Sequence, residues 1–470
     1  MKTLKPKTIL LITLLLISIV AIIGYNQNWF QHSGSQTPSI FKSTSSNSAM
    51  NLTLEIYGNA NMDGKIDKDD ITYIQNIIDG KKPPTPFADA NRDGVINELD
   101  IAFVQAIIAG TAEKIYLLDG NKQEICVTLP ANRIIVEYNQ NTELVRILEI
   151  EHLVVGIDSG VDPVKNLFFP NNAARITSVG GMSTPDYEAI LNLHPTTILT
   201  FSPDVTEKAT KLPGVDVVYL GLYSPNVTHP QDSRFIQGIL KAGYIFNKVD
   251  KATEYTNWLL TLTTTINNKI NTLPENQRQT VLLSNSPTLG NARSYLPHDT
   301  LGQACILAGG INIANTPIDS TALSVTLDTE YLLQQNPQYI FLHTVRYTYG
   351  GGTNEPSQGI DANNPTGMKN VLQQYTSQPA FDNLDAVKNN NVYLIAGDFR
   401  NNAMGGTLGA VYMAKILYPD LFTDLNPKTI HQEYITKFLR LDYNLDTNGV
   451  FLYPPITING DTVGIPKGAN

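Results

Sequence analysis

The sequence predicts an α/β protein, two lobes joined by a long helix, standing behind a small all-α repeat module and an N-terminal apolar helix. Three observations predict it. Short β-rich runs alternate with helical stretches from Cys126 onward, Pro230–Leu273 runs with few helix breakers, and two segments within residues 57–110 align as an internal repeat. Alternation of strand and helix argues for a mainly parallel sheet, because parallel neighbours need a helical crossover.

Charge divides the chain in the same way. The 470 residues carry 33 Lys and Arg against 43 Asp and Glu, a net −10. Residues 1–50 hold +4, residues 51–113 hold −6, and the remainder holds −8. An overall acidic chain has no blanket cationic surface, so nucleic acid is excluded as a general partner. Two distant cysteines, Cys126 and Cys305, make neither a disulfide framework nor a thiolate metal site; they read as two buried free thiols or as a pair with each other.

The N-terminal element follows three lysines. Thr8–Gly24 is uncharged and, as a helix, covers about 25 Å at 1.5 Å per residue, the short end of a membrane span. Residues 1–24 therefore read as a signal anchor, with the lysines inside and the bulk of the chain extracellular, or as a cleaved signal peptide. Residues 25–50 read as a flexible linker, since Gln31–Met50 is rich in Ser, Thr, Gln and Asn.

In the repeat, Tyr57–Gly80 aligns with Phe87–Gly110. Oxygen-bearing side chains fall at loop positions 1, 3, 5, 9 and 12: Asn59, Asn61, Asp63, Asp67 and Asp70, then Asp89, Asn91, Asp93, Asn97 and Asp100. Position 7 adds the main-chain carbonyls of Lys65 and Val95, and position 6 is Gly64 or Gly94. Calcium takes about six to eight hard oxygen ligands, and a loop of this spacing supplies them, so two ions are expected. Apolar residues follow each loop at helical spacing, with Gly80 and Gly110 as stops. A final Asp in place of Glu, with no full helix ahead of either loop, resembles the type I dockerin repeat over residues 51–113. That resemblance implies calcium-dependent folding and a cohesin partner met through positions 10 and 11, here Lys68 and Asp69, then Glu98 and Leu99. The two pairs differ, which leaves a cohesin and the protein's own chain as alternative partners.

In the α/β part, strands are expected at RIIVEY (Arg133–Tyr138), LVVGID, TTILTF, VDVVYL, TVLLSN, YIFLHTV and NVYLIAG. EAILNLHPTTI (Glu188–Ile198) and EYLLQQNPQYI (Glu330–Ile340) echo one another: a helix opening on Glu, an X-Pro break, then a strand. Those blocks, with VGGMSTPDYEAILNLHPTTILTFSP, LAGGINIANT and LDAVKNNNVYLIAG in order, resemble the iron-chelate/cobalamin class of ABC-transporter substrate-binding proteins across residues 125–424.

The resemblance implies two Rossmann-like lobes (125–235 and 277–424), a linker helix (236–276) and a metal chelate or corrinoid between them. It also implies an ABC permease partner docked through Glu188 and Glu330, while 425–470 is a C-terminal extension expected on the second lobe. Ligands of open α/β sheets sit at the carboxyl ends of the strands. That selects Tyr138, Asn139, Met182, Phe201 and Tyr223 in the first lobe. In the second it selects Arg293, Tyr295, His343, Arg346, Tyr347, Asp398 and Arg400, with Phe399 between the last two. Aromatics and arginines suit a bulky planar or anionic chelate. No catalytic residues are expected: the sequence has no Gly-x-Ser-x-Gly elbow, phosphate loop or His-Glu-x-x-His helix, and a glycoside hydrolase is disfavoured. The alternative function is a dockerin-bearing component of an extracellular cohesin-assembled complex for polysaccharide degradation or adhesion.

Overall fold

The computed structural model describes residues 52–223, 225–230, 233–285, 292–314, 322–344 and 358–469. Residues 1–50 and the cleft candidates Arg346 and Tyr347 lie outside the described residues. Among those described, no helix is long and apolar enough to cross a membrane; Thr8–Gly24 is not among them.

The two repeat helices form as expected: α1 (Lys68–Ile78) and α2 (Glu98–Ala109). Asp67 and Asn97 are their N-caps, and each closes a capping box with the Asp three residues on, Asp70 or Asp100. Such a box satisfies two orphan N–H groups at once. Gly80 (φ +70) and Gly110 (φ +67) stop the helices in the left-handed conformation.

A hairpin of β1 (Lys114–Leu118) and β2 (Glu124–Thr128) follows. The first lobe has one parallel sheet in the order β5-β4-β3-β8-β9, comprising β3 (Ile134–Val136), β4 (Val154–Ile157), β5 (Thr177–Ser178), β8 (Thr197–Thr200) and β9 (Asp216–Tyr219). A small hairpin, β6 (Gly180–Gly181) and β7 (Thr184–Pro185), interrupts the order. Every residue of β3 and β8 is buried, Thr197 and Thr200 included, as expected of strands covered on both faces. Ile135, Val179, Ile190, Ile198 and Leu212 close the core beneath them. The helices α3 (Tyr138–Ile147) and α4 (Tyr187–Asn192) flank this sheet in the sequence. The RIIVEY strand ends earlier than expected, since Tyr138 already opens α3.

The single long linker helix expected over 236–276 is instead two, α5 (Arg234–Ile245) and α6 (Val249–Ile270). Asn247 breaks them with φ +52, a conformation Asn tolerates better than most residues. Gly243 lets them approach: a Cβ there would lie 2.6 Å from that of Ala252.

The second sheet is mixed, in the order β13-β11-β10-β14-β15-β16 with β12 beside β10. Its strands are β10 (Thr280–Ser284), β11 (Ala292–Tyr295), β12 (Ile311–Asn312), β13 (Ser324–Leu327), β14 (Tyr339–Thr344), β15 (Val392–Ala396) and β16 (Leu452–Tyr453). The central β10, β14 and β15 run parallel; β11 and β16 run against them on either side, and β13, antiparallel to β11, shares their direction. The helices used below are α7 (Thr300–Leu307), α8 (Thr329–Gln335), α9 (Asp398–Asn401), α10 (Thr407–Leu417) and α11 (Pro427–Glu433).

The C-terminal extension does more than lean on the second lobe. It supplies β16 to that sheet, but Arg146 of α3 also donates to the carbonyls of Leu439 (2.8 Å) and Arg440 (2.8 Å). Tyr434 and Phe438 pack with Tyr255 and Trp258 of α6. The extension therefore ties both lobes to the linker. The two cysteines are free; Cys305 is buried, which pushes its thiol up to about 12, whereas Cys126 is exposed.

Candidate ligand cleft and calcium loops

The carboxyl ends of β3, β8 and β9 present a chain of rings. Tyr138 and Phe201 lie 4.1 Å apart between centroids, and Phe201 meets Tyr223 edge-on at 5.8 Å. From the second lobe Arg400, on α9, lies over the rings of Tyr223 (5.2 Å) and Tyr295 (5.0 Å). These contacts bring six expected residues into one place: Tyr138, Phe201, Tyr223, Tyr295, His343 and Arg400.

Arg400 is not an unengaged anion receptor. Its Nε donates to Asp299 Oδ1 and Oδ2 at 3.1 and 2.9 Å, and Nη2 donates to Asp299 and to the Tyr223 hydroxyl. Tyr223 in turn donates to Asp299 Oδ2 at 2.7 Å. Burial works against the guanidinium charge, but the bonds and charge of Asp299 outweigh it and raise the Arg400 pKa. Asp299 is fully buried and also accepts from Leu301 N–H as the N-cap of α7. Sequence reasoning did not single it out.

His343 contacts the Tyr295 hydroxyl through Nδ1 at 2.8 Å. Burial, with the nearby Arg400 charge, pushes its pKa down to about 3, so the ring is neutral throughout the physiological range. Its Nε2 is buried without a hydrogen-bond partner among the described residues.

Beneath Phe201 lies an ion pair that sequence reasoning missed. Glu137 Oε2 accepts from Lys208 Nζ (2.9 Å), Thr200 Oγ1 (2.8 Å) and Phe201 N–H (3.1 Å). Lys208 also donates to Thr200 Oγ1 at 3.0 Å and to the Met182 carbonyl at 3.3 Å. Both charged side chains are buried. No local signal marks them, because they meet across 71 residues of chain.

Other expected residues fall elsewhere. Met182 shares with Phe201 and Lys208 a pocket of about 330 Å³ on the first lobe. Arg293 is exposed on β11, with Nε bonded to Ser324 Oγ at 2.8 Å. Asn139 and Asp398 line a separate internal cavity of about 20 Å³, room for little more than a water. Phe399 is fully buried against Tyr412 and Phe451, so it belongs to the core and not to the cleft.

That cavity also holds Glu143, which accepts from Tyr434 Oη (2.6 Å) and from the Ala403 N–H of the second lobe. Burial raises its pKa from 4.5 to about 8, so the native side chain is protonated at neutral pH. Between pH 4.5 and 8 the unfolded chain has lost a proton that the folded chain retains, so this group's stabilising contribution falls as pH rises through that window. Glu143→Gln keeps an acceptor and removes the titration. The variant is expected to gain stability over the parent toward pH 8, with a slope difference of at most about 1.4 kcal/mol per pH unit in denaturant titrations; parallel pH profiles would refute the assignment.

Glu188 and Glu330 are both exposed and both stand second in their helices, α4 and α8, behind the N-caps Asp186 and Asp328. Each helix ends on a left-handed residue before a proline, His194 (φ +47) and Asn336 (φ +43). The sequence echo is thus an echo of backbone.

In the repeat loops Asp70 Oδ1 accepts from Asn61 N–H (3.1 Å) and Oδ2 from Asp67 N–H (2.8 Å); Asp100 treats Asn91 and Asn97 alike, at 3.2 and 2.8 Å. Met62 and Arg92, both at loop position 4, share φ near +60. One oxygen fits a cation directly: Asp89 Oδ1 is buried without a hydrogen-bond partner among the described residues, although Oδ2 accepts from Gly94 N–H and Arg92. Among the described residues no three or more His, Cys, Asp and Glu side chains gather as a metal site.

A family profile described as "Periplasmic binding protein" matches residues 134–398, more than half of the chain. The chain belongs to the periplasmic binding protein family. A second profile, "Dockerin type I domain", matches residues 57–109, over the repeat; such domains bind calcium. No curated protein matches the sequence. Among solved structures, the TroA-like periplasmic binding protein FepB from Veillonella parvula is 18% identical over 72% of this chain and 98% of its own, with a TM-score of 0.57. The molybdate periplasmic binding protein MolA of a Haemophilus influenzae ABC transporter is 19% identical over 70% and 99%, TM-score 0.53. CeuE of Helicobacter pylori is 14% identical over 70% and 96%, TM-score 0.52. At these identities the likeness establishes the fold of this periplasmic binding protein, and its cleft must be argued from its own residues.

Proposed function

We propose that this protein is the extracellular substrate-binding component of an ABC importer for a metal chelate, corrinoid or related complex. It is held at the membrane by its N-terminal apolar segment and carries two calcium ions in its repeat module. The observation that carries the reading is the cleft: rings from one lobe and a cation from the other meet at the carboxyl ends of both sheets. Rings and a guanidinium plane provide stacking surface for a flat or ring-bearing complex. Because Asp299 already neutralises Arg400, the site favours stacking over capture of a strongly charged anion. Glu188 and Glu330 serve as the paired permease contacts, since two like carboxylates at matching exposed positions suit arginines on a two-fold partner.

Native mass spectrometry of the protein purified from its own cells is expected to find a co-purifying metal complex; sugar release from a polysaccharide panel would overturn the binding-protein reading. The double variant Glu188→Ala, Glu330→Ala is expected to abolish import in an uptake assay while ligand affinity stays within about twofold. Unchanged import would remove these residues from docking.

A second reading, a component of a cohesin-assembled complex, has one observation in its favour. Val95 and Leu99 are 60% and 61% exposed, and Glu98, Lys68 and Asp69 are exposed as well. Pull-down with a cohesin panel decides it.

A further inference from the structure

The repeat module is joined to its own chain. Its leading segment adds to the β1–β2 hairpin through Tyr57 N–H to Tyr116 O (2.9 Å) and Leu118 N–H to Glu55 O (3.1 Å). The other side of this segment grips α5. Gln237 Nε2 donates to Thr53 O at 2.6 Å, and its Oε1 accepts from Glu55 N–H at 3.3 Å. Lys241, also buried, pairs with Glu55 at 2.8 Å. The last contact comes from the first loop itself: Ile66 N–H, at loop position 8, donates to the Tyr244 hydroxyl at 2.7 Å.

All three anchoring side chains, Gln237, Lys241 and Tyr244, belong to α5, which leads through Asn247 into α6, the link between the sheets. α5 is itself pressed against the first lobe, since a Cβ on Gly238 would meet the Leu220 carbonyl at 2.2 Å. A loop that loses its cation loses the geometry that aims Ile66 N–H, and the part-buried Tyr244 hydroxyl then loses its donor.

We propose that calcium in the first repeat loop is a structural ligand of the binding domain, holding α5 and through it the linker, so that its removal loosens the lobes and not the module alone. The inference rests on the calcium reading of the loops, and its test separates the two. The full chain with Trp29→Phe leaves Trp258 of α6 as the sole tryptophan, far along the sequence from either loop. Calorimetry with calcium chloride first asks whether the loops bind the ion; no binding overturns the calcium reading itself.

With binding established, the Trp258 fluorescence melt is compared in calcium and in EGTA. A ligand held only by the native state raises the midpoint of every segment that unfolds with it. The Trp258 midpoint is expected to fall by about 5 °C or more in EGTA. A Trp258 midpoint unchanged within about 1 °C, with only a separate module transition moving, overturns the inference. Tyr244→Phe removes one hydroxyl and keeps the ring, so it is expected to retain calcium binding and lose at least half of the Trp258 shift. A full shift in that variant overturns the route through Ile66.

Discussion

Lys208→Met is expected to lower stability by about 3–5 kcal/mol, because it strands a carboxylate in the first lobe. Glu137 is 2% exposed, and Lys208 is the one cation it pairs with among the described residues. The remaining donors, Thr200 Oγ1 and Phe201 N–H, do not neutralise it. Removing the whole pair is a different matter, since two desolvated charges give up most of their attraction to the cost of leaving water. The double variant Glu137→Leu, Lys208→Met is therefore expected to recover at least half of the loss. Denaturant titration of the three proteins measures both numbers, and a single variant as stable as the parent would show that the pair lies in a wetter place than its burial implies. Because Glu137 also holds Phe201 N–H, the single variant should disturb the ring chain that forms the first lobe's face of the cleft.

Arg400→Met carries the second large effect, in the seam between lobes. Among the described residues it leaves Asp299, fully buried, with Tyr223 Oη and Leu301 N–H but no paired cation. A loss of about 2–4 kcal/mol is expected, somewhat below a fully enclosed pair because the Arg400 side chain is 19% exposed. The same change removes a group that touches Tyr223 of one lobe and Tyr295 of the other. The lobes should separate more readily, seen as a larger radius of gyration by X-ray scattering. Asp299→Asn offers a sharper comparison: it preserves a cap for α7 and removes only the charge, so its scattering should follow Arg400→Met while α7 remains intact by hydrogen exchange. A radius unchanged in both variants would sink the idea that this contact holds the cleft together.

Much of the candidate site's geometry was legible, and the residues that the structure brings together share a property. Tyr138, Phe201, Tyr223, Tyr295, His343 and Arg400 could be named because each follows or lies on a strand of the sheets, and strand ends are a local pattern. Their partners were not. Asp299 meets Arg400 across 101 residues and Glu137 meets Lys208 across 71, and no spacing rule connects them. Phe399 was misplaced for the converse reason: its neighbours in sequence belong to the cleft, yet a helical turn carries its ring into the core. The linker failed at one residue, Asn247, where a left-handed turn divides a run with no proline or glycine signal strong enough to announce it.

The sequence by itself determined the elements and the repeat loops of this protein: the register of the two repeats, their capping residues, the paired Glu helices and the strand ends that border the candidate cleft. These rest on spacing, capping and periodicity, forces that act within a few residues. Only the tertiary structure decided that Arg400 is neutralised by Asp299, that Glu143 sits protonated between lobe and C-terminal extension, and that the module grips α5 of its own chain. Those outcomes depend on desolvation and pairing between residues far apart in the chain, and such energies exist only once the fold has brought the partners together.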